Sequence, residues 1–225
     1  DRRQRQMCIR DRVWVKVPVI DGTNGAIVKM YYGNSTVASE SDGDGVFDFF
    51  EDFSSDLSKW NVISGVSIEN GKGKLNNIGH GFTSIDNFSL NGDYVLSMNW
   101  EGIASFDSNY DTIGLYIDID DASKYAYVKR EYSAGQAIAW NCPNINTGYQ
   151  GITTNVGTSG DMEFRILDKV LDNARINSYH FSGIGSVPTE DHFQIQPYTR
   201  DGYVGYVDNI ILRKTCSVEP VYLVT

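Results

Sequence analysis

Hydrophobic and polar residues alternate with a period of two along most of the chain, which predicts β-strands. The clearest run lies near the start, where a valine occupies every second position of residues 13–19. A cluster of turn-forming residues at 21–25 separates this run from a second one over residues 26–32. The two runs predict a β-hairpin, which is marginally stable in water unless it packs on something else.

Short alternating segments recur after residue 45, with turn signals such as Asn70–Gly71 and Asn91–Gly92 between them. The predicted strands cover residues 60–64, 66–69, 74–78, 81–85, 94–101, 112–119, 125–132, 136–140, 162–167, 175–181, 192–198 and 204–213. Strands of this length and spacing are typical of an all-β sandwich or barrel of antiparallel sheets. One stretch, residues 167–174, has helical spacing, and we predict a hairpin bend there, with a short helix as the alternative.

Composition supports a folded domain and excludes two classes of function. Hydrophobic residues make up 41% of the 225 residues, which is enough for a core. No apolar run approaches the roughly 20 residues that a membrane helix needs. The formal net charge is −10 and the pI is about 4.7, so the chain lacks the basic footprint of a nucleic-acid-binding protein.

The first twelve residues differ from the rest in charge. They contain five arginines and two aspartates, with neither apolar periodicity nor the apolar core of a signal peptide. The segment resembles the translation of a transposase-type DNA-sequencing adapter, which predicts that residues 1–12 are not native; a basic nucleic-acid arm or a localisation patch is the alternative. Without their net charge of +3, the remaining residues carry a formal charge of −13. On this interpretation the native N-terminus lies upstream.

Three segments carry a resemblance to a known family. They are residues 14–18 (Trp-Val-Lys-Val-Pro), 30–34 (Met-Tyr-Tyr-Gly-Asn) and 46–53 (Val-Phe-Asp-Phe-Phe-Glu-Asp-Phe). Together they resemble the C-terminal end of an uncharacterised domain family of archaeal and bacterial surface proteins. That family is typically followed by a concanavalin A-like, or laminin-G-like, jelly roll. Residues 50–62 resemble the first strand of such a jelly roll, and residues 207–214 resemble its closing strand.

The resemblance implies an all-β fold, in which a concanavalin A-like jelly-roll β-sandwich of two antiparallel sheets follows a β-hairpin remnant. The expected order begins with the adapter-like segment 1–12. Residues 13–45 form a hairpin and linker left from an upstream β domain, residues 46–216 form the sandwich, and residues 217–225 form a tail or linker. It also implies other domains in a longer parent protein.

Calcium is the cofactor that the resemblance suggests. In many jelly rolls of this kind the first and last strands are neighbours and a structural Ca²⁺ bridges them. This implies a metal site at Glu51, Asp52 and Asp208, since calcium takes six to eight oxygen ligands. The alternative is that these carboxylates accept hydrogen bonds in turns and at strand edges. A second acidic stretch, residues 42–48, does not fit a calcium loop, because its glycine stands at the fourth rather than the sixth position.

Tyrosines and one tryptophan cluster in the middle third of the sequence, on segments that the resemblance assigns to the concave face of the jelly roll. Flat aromatic rings contact the apolar faces of sugars while polar groups bind the hydroxyls. We therefore predict that Tyr127, Tyr132 and Trp140 contact a ligand. The alternative is that such aromatics belong to the core or form cross-strand pairs.

Catalysis is the less favoured class. Residues 116–121 resemble the Glu-x-Asp-x-x-Glu pattern of concanavalin-like β-glucanases, but Tyr116 stands where the first glutamate is needed. A glycoside hydrolase or lyase requires two facing carboxyl groups in a groove, and the candidates are Glu101, Asp118 and Glu131. Finding such a pair would favour an enzyme.

These features predict a non-catalytic extracellular or cell-surface module that binds carbohydrate or mediates adhesion, with a glycan or cell-surface polymer as its partner. The alternatives are a glycoside hydrolase or lyase on the same sandwich, and a structural domain of a surface assembly. Cys142 and Cys216 either pair, as in an exported protein, or are two free thiols.

Overall fold

The computed structural model describes residues 14–17, 26–29, 36, 41–62, 65–76, 82–102, 112–118, 125–131, 137–141, 150–152, 156–182, 192–200 and 203–215. The chain divides into two compact units, residues 1–47 and residues 48–225. Tyr132, Cys142, Cys216 and the tail 217–225 lie outside the described residues.

The described part of the first unit includes one helical turn, α1 (Gly43–Val46), which Asp42 precedes. The Gly45 N–H donates to the Asp42 carboxylate over 2.9 Å, and a side chain at Gly45 would clash with that carboxylate. Asp42 is therefore an N-cap. The Lys16 ammonium donates to the Gly45 carbonyl over 3.0 Å, and the Trp14 ring packs edge-on against Phe47 with centroids 5.6 Å apart.

The hairpin predicted for the first unit is not present in its described part. Neither residues 14–17 nor residues 26–29 belong to a strand; the rest of the two runs lies outside the described residues. A two-stranded ribbon gains little from its own pairing and needs a packed face, so alternation alone does not make these segments a hairpin.

The described part of the second unit consists of sixteen strands, here numbered in chain order. They are β1 (Phe49–Glu51), β2 (Trp60–Val62), β3 (Val66–Glu69), β4 (Lys72–Asn76), β5 (Phe82–Ser84), β6 (Phe88–Ser89), β7 (Tyr94–Gly102), β8 (Thr112–Asp118), β9 (Tyr125–Glu131), β10 (Ala137–Asn141), β11 (Gln150–Ile152), β12 (Ser159–Leu167), β13 (Val170–Ile176), β14 (Tyr179–Ser182), β15 (His192–Arg200) and β16 (Val204–Lys214).

Two antiparallel sheets and a short ribbon contain all the described strands. The larger sheet has eight strands in the order β14-β13-β12-β7-β16-β4-β3, with β1 also paired to β16. The smaller sheet has six strands in the order β11-β10-β9-β8-β15-β6, and β2 and β5 form the ribbon. The first and last strands are neighbours, as expected: Phe49 stands opposite Leu212, and Glu51 opposite Ile210.

The core lies between the two large sheets. Alternate residues of each strand point inward, as the period of two predicts. The larger sheet contributes Leu96, Met98, Phe164 and Leu212, and the smaller sheet contributes Ile113, Leu115, Ile117, Val128, Phe193 and Ile195, all buried. The opposite side of each sheet is therefore left for other contacts.

The segment with helical spacing is a hairpin bend, as predicted. Strands β12 and β13 meet at Asp168 and Lys169, which both have positive φ values of 45° and 68°. Two left-handed residues in succession are typical of the type I′ turn, whose twist matches that of the strands. No helix of the described residues is both long and apolar enough to cross a membrane.

The single strand predicted over residues 175–181 is wrong. A turn at Asn177 divides it into the end of β13 and the start of β14. Asn177 takes a left-handed conformation with φ of 52°. Its side-chain oxygen accepts from the Asp161 N–H over 2.9 Å, and its amide nitrogen donates to the Val156 carbonyl over 2.7 Å. Asparagine tolerates this conformation better than most residues, and these tertiary contacts hold it there.

Candidate ligand-binding face

The side of the smaller sheet that faces away from the core carries a group of tyrosines. On β8, Leu115 and Ile117 point inward to the core, and Tyr116 lies between them on the outer side. Tyr127 on β9 and Tyr198 on β15 also occupy positions that alternate with inward-pointing residues, so they lie on the outer side as well. We call Tyr116, Tyr127 and Tyr198 the tyrosine cluster.

The rings of the tyrosine cluster pack on one another across three adjacent strands. Tyr116 and Tyr127 are cross-strand partners with ring centroids 4.7 Å apart, and Tyr198 lies 4.4 Å from Tyr116. The three residues are only 5%, 9% and 9% exposed, although they are separate from the main core. The cluster is thus a closely packed layer of rings with little exposed surface.

Gly114 makes room for this packing. It lies on the outer side of β8, opposite Tyr198 and Lys129. A Cβ atom there would lie 2.7 Å from the Lys129 Cβ and 2.8 Å from the Tyr116 ring. Real Cβ atoms do not approach so closely, so the ring arrangement requires glycine at this position.

Trp140 extends the row of aromatic positions to a fourth strand. It is the register partner of Tyr127 across β9 and β10. The register therefore places Tyr127 and Trp140 opposite each other on adjacent strands, whereas Tyr132 lies outside the described residues. Sequence reasoning missed Tyr116 and Tyr198; their alternation with inward-facing aliphatic residues was the available signal.

Two glutamines border the cluster on β15. The Gln194 amide nitrogen donates to the Ser84 carbonyl over 2.7 Å, and that of Gln196 donates to the Thr83 hydroxyl over 3.2 Å. The Ile195 N–H also donates to the Ser84 hydroxyl over 3.0 Å. With their nitrogens directed to β5, the glutamines keep carbonyl oxygens that accept no hydrogen bond from the described residues, and these can accept from a ligand hydroxyl.

An ion pair lies beside the cluster on β9. The Lys129 ammonium is bound by the Glu131 carboxylate, two residues along the same strand and on the same side. The same ammonium lies 4.8 Å from the centre of the Tyr127 ring. Such a cation–π contact adds to the attraction and holds the lysine over the tyrosine.

The three carboxylates considered for catalysis do not meet. Glu101 is on the larger sheet, where it accepts from the Lys72 ammonium over 2.7 Å. Asp118 and Glu131 stand at opposite ends of the β8–β9 pair, opposite Tyr125 and Thr112 respectively. At about 3.3 Å per residue, those two register positions are roughly 20 Å apart, well beyond the separation that either type of glycosidase uses.

The three carboxylates predicted to bind calcium lie near one another, but both oxygens of the first already accept hydrogen bonds from buried N–H groups. The Glu51 carboxylate is 4% exposed; one oxygen accepts from the Phe53 N–H over 2.7 Å and the other from the Trp60 indole N–H over 2.8 Å. The Asp52 carboxylate accepts from the Ser54 N–H over 3.0 Å, and that of Asp208 accepts from the Asn209 N–H over 2.7 Å.

The Asp52 and Asp208 carboxyl groups differ in the direction of their pKa shifts. The hydrogen bond from Ser54 lowers the pKa of Asp52, whereas burial raises the pKa of Asp208, with the charges of Asp52 and Glu51 adding to the rise. Among the described residues, no three His, Cys, Asp or Glu side chains are placed to hold a metal ion. The donors present do not fit a six- to eight-coordinate calcium ion.

Comparisons with known proteins match the N-terminal part of the chain to a family. Residues 10–63 match the family described as a domain of unknown function (DUF2341). The match extends past residue 45, where we expected the remnant to end, and includes strands β1 and β2 of the second unit. No curated protein matches the sequence.

Solved structures similar to this chain include enzymes and binding modules. A mutant of the GH43 protein BlXynB from Bacillus licheniformis gives a TM-score of 0.56 at 11% identity, covering 74% of this chain and 39% of that one. The carbohydrate-binding module CBM66 from Bacillus subtilis gives 0.53 at 11% identity, covering 72% and 99%. The Ca²⁺-bound form of the VIP36 exoplasmic/lumenal domain gives 0.51 at 10% identity, covering 76% and 90%.

Identities this low show the fold alone. The sheets, their antiparallel pairing and these likenesses confirm the predicted class. The chain is an all-β jelly-roll sandwich whose N-terminal part matches the DUF2341 family.

Proposed function

We propose that the second unit is a non-catalytic glycan-binding module of an extracellular or cell-surface protein. The observation that carries the proposal is the tyrosine cluster, a row of aromatic residues on the side of the smaller sheet that faces away from the core. Glycan sites combine aromatic rings, which contact sugar C–H groups, with a few fixed polar groups that bind hydroxyls.

The border of the cluster supplies the polar groups. The carbonyl oxygens of Gln194 and Gln196 are held in place by the bonds that their amide nitrogens make to β5. Because the rings of the cluster expose little surface, we expect the tyrosine hydroxyls and Trp140 to make the direct contacts. Similarity of fold to a carbohydrate-binding module supports this class of function.

The second class, hydrolysis or elimination, was predicted to need a facing pair among Glu101, Asp118 and Glu131. Asp118 and Glu131 stand at register positions roughly 20 Å apart, and Glu101 is on the larger sheet. The likeness to the GH43 protein covers 39% of that chain and concerns the fold only. An assay for products therefore belongs in the test of the proposal.

The proposal can be tested by affinity electrophoresis in gels that contain neutral or acidic polysaccharides. We expect at least one polysaccharide to retard the protein, and Trp140→Ala to weaken its binding about tenfold or more, the loss typical of an aromatic anchor. Removing the hydroxyls of the tyrosine cluster with Tyr116→Phe, Tyr127→Phe and Tyr198→Phe should also weaken it.

The matched control is Tyr206→Phe, which removes a hydroxyl from the outer side of the larger sheet, where it donates to Glu69. This variant should bind as the wild type does. Retardation by no polysaccharide, or equal loss in the control, would refute the proposal. Release of reducing ends or unsaturated products from the retarding polysaccharide would show an enzyme instead.

A further inference from the structure

The ion pair beside the tyrosine cluster bears on the charge of the ligand. Lys129 is a cation next to the proposed site, but its ammonium is held between the Tyr127 ring and the Glu131 carboxylate. Its side chain is 13% exposed. An ammonium whose charge is already compensated and whose surface is largely covered offers little to a carboxylate or sulfate on a sugar.

The charges described on the outer side of β8, β9 and β15 are balanced. Among the side chains that the structure describes there, those ionised at neutral pH are the Lys129 cation and the Glu131 anion, one of each sign. The chain as a whole carries a formal net charge of −10. A polyanion therefore meets no excess of positive charge on this face and an unfavourable field around the protein.

The glutamines favour the same class of ligand. Since the amide nitrogens of Gln194 and Gln196 donate to β5, the groups left for a ligand are carbonyl oxygens. These accept from hydroxyl groups and repel carboxylates, which are acceptors only at neutral pH.

We propose that the ligand is a neutral glycan, free of uronate, sulfate and phosphate groups, and that Glu131 excludes anionic glycans by neutralising Lys129. This inference rests on the proposed function, because it assigns the substrate class of the same site. Glu131 is thereby a specificity-determining residue and not a catalytic one.

The test compares neutral and acidic polysaccharides in the same affinity gels. The neutral set contains glucans, mannans, xylans and fructans, and the acidic set contains alginate and polygalacturonate. We expect retardation of the wild type by a neutral member alone. Glu131→Gln frees the ammonium, and we expect it to increase the affinity for a polyuronate about tenfold, the effect of one charge-assisted hydrogen bond.

Two further variants separate this effect from a loss of structure. Lys129→Met removes the cation and should bind neutral glycan without gaining affinity for polyuronates. Glu163→Gln removes a carboxylate that pairs with Arg175 on the larger sheet and should change neither affinity. Thermal unfolding of each variant checks that it is folded.

The outcomes are distinct. Retardation of the wild type by a polyuronate alone would overturn the inference while leaving glycan binding intact. Failure of Glu131→Gln to gain affinity for polyuronates would overturn the role of the ion pair. Retardation by neither set would overturn the proposed function itself, and the inference with it.

Discussion

The carboxylate of Glu51 accepts a hydrogen bond from the indole N–H of Trp60 over 2.8 Å in the interior of the sandwich. Its other oxygen accepts from the Phe53 N–H, so one buried side chain connects β1, the loop after it and β2. The Phe53 ring stacks on Trp60 with centroids 6.3 Å apart and lies against Gly73, where a Cβ would come within 2.7 Å of it. Residues of the DUF2341 match are thus part of the sandwich core.

Replacing Glu51 by glutamine should destabilise the sandwich. The amide can accept only one of the two hydrogen bonds, and its NH₂ group would face an N–H donor. We expect the free energy of unfolding to fall by about 1.5–3 kcal/mol, the range for hydrogen bonds to charged groups. Urea denaturation measures it, with Glu101→Gln at an exposed position as control, for which we expect a change within about 0.5 kcal/mol. Equal effects would show that the burial of Glu51 is unimportant.

Calcium should not stabilise the protein through Glu51, Asp52 and Asp208, because the oxygens of Glu51 are engaged by N–H donors. We expect the Tm measured with calcium to equal that measured with a chelator. A bound cation would raise it, by the linkage between binding and folding. If calcium raises the Tm of the wild type but not that of Asp208→Asn, these carboxylates bind the ion and our assignment fails.

Gly114→Ala should disturb the packing of the tyrosine cluster. The added methyl group would lie 2.8 Å from the Tyr116 ring and 3.1 Å from the Val128 carbonyl oxygen. Overpacking of this kind costs about 1–3 kcal/mol. A change in near-ultraviolet circular dichroism, which reports tyrosine packing, should accompany the lower stability.

The matched control for this variant is Gly71→Asn. Gly71 has φ of 70° with open space where a Cβ would lie, and asparagine accepts this conformation. We expect its stability and spectrum to stay close to the wild type. A stable Gly114→Ala with an unchanged spectrum would contradict the packing described for the cluster.

Asp208 should make the sandwich less stable as the pH rises. Burial raises the pKa of its carboxyl in the folded state, so the folded protein binds more protons than the unfolded chain between the two pKa values. Stability contributed by this group is therefore lost as the pH rises through the unfolded pKa, near 3.9, towards the raised folded value. Asp208→Asn keeps an oxygen acceptor for Asn209 and removes the charge.

We expect Asp208→Asn to be more favourable to stability at pH 7 than at pH 3, measured by denaturation at both values. Asp56→Asn is the comparison, because its effect on stability should change with pH in the opposite direction. The hydrogen bond from Ser58 lowers the pKa of Asp56. That variant should be less favourable at pH 7 than at pH 3. The same sign for both would contradict the burial of Asp208.

Much of the fold follows from local patterns. Alternation predicts most strands correctly, because an inward position recurs at every second residue wherever a sheet covers a core. The prediction fails at residue 177, where a left-handed asparagine divides the predicted strand 175–181 into two. It also fails for residues 14–17 and 26–29, where the same alternation has no strand. Strand formation depends on a partner that a local pattern does not reveal.

For the tyrosine cluster, too, the sequence pattern determined one part and the tertiary structure the other. The sequence by itself determined that Tyr116, Tyr127 and Tyr198 point away from the core, since each alternates with inward-facing residues of its own strand. Only the tertiary structure decided that they meet, because the register of β15, β8 and β9 brings together residues up to 82 positions apart. The same register separates the carboxylates Asp118 and Glu131, and the fold buries Glu51 against Trp60. Those pairings arise from sheet packing, which joins residues across the chain.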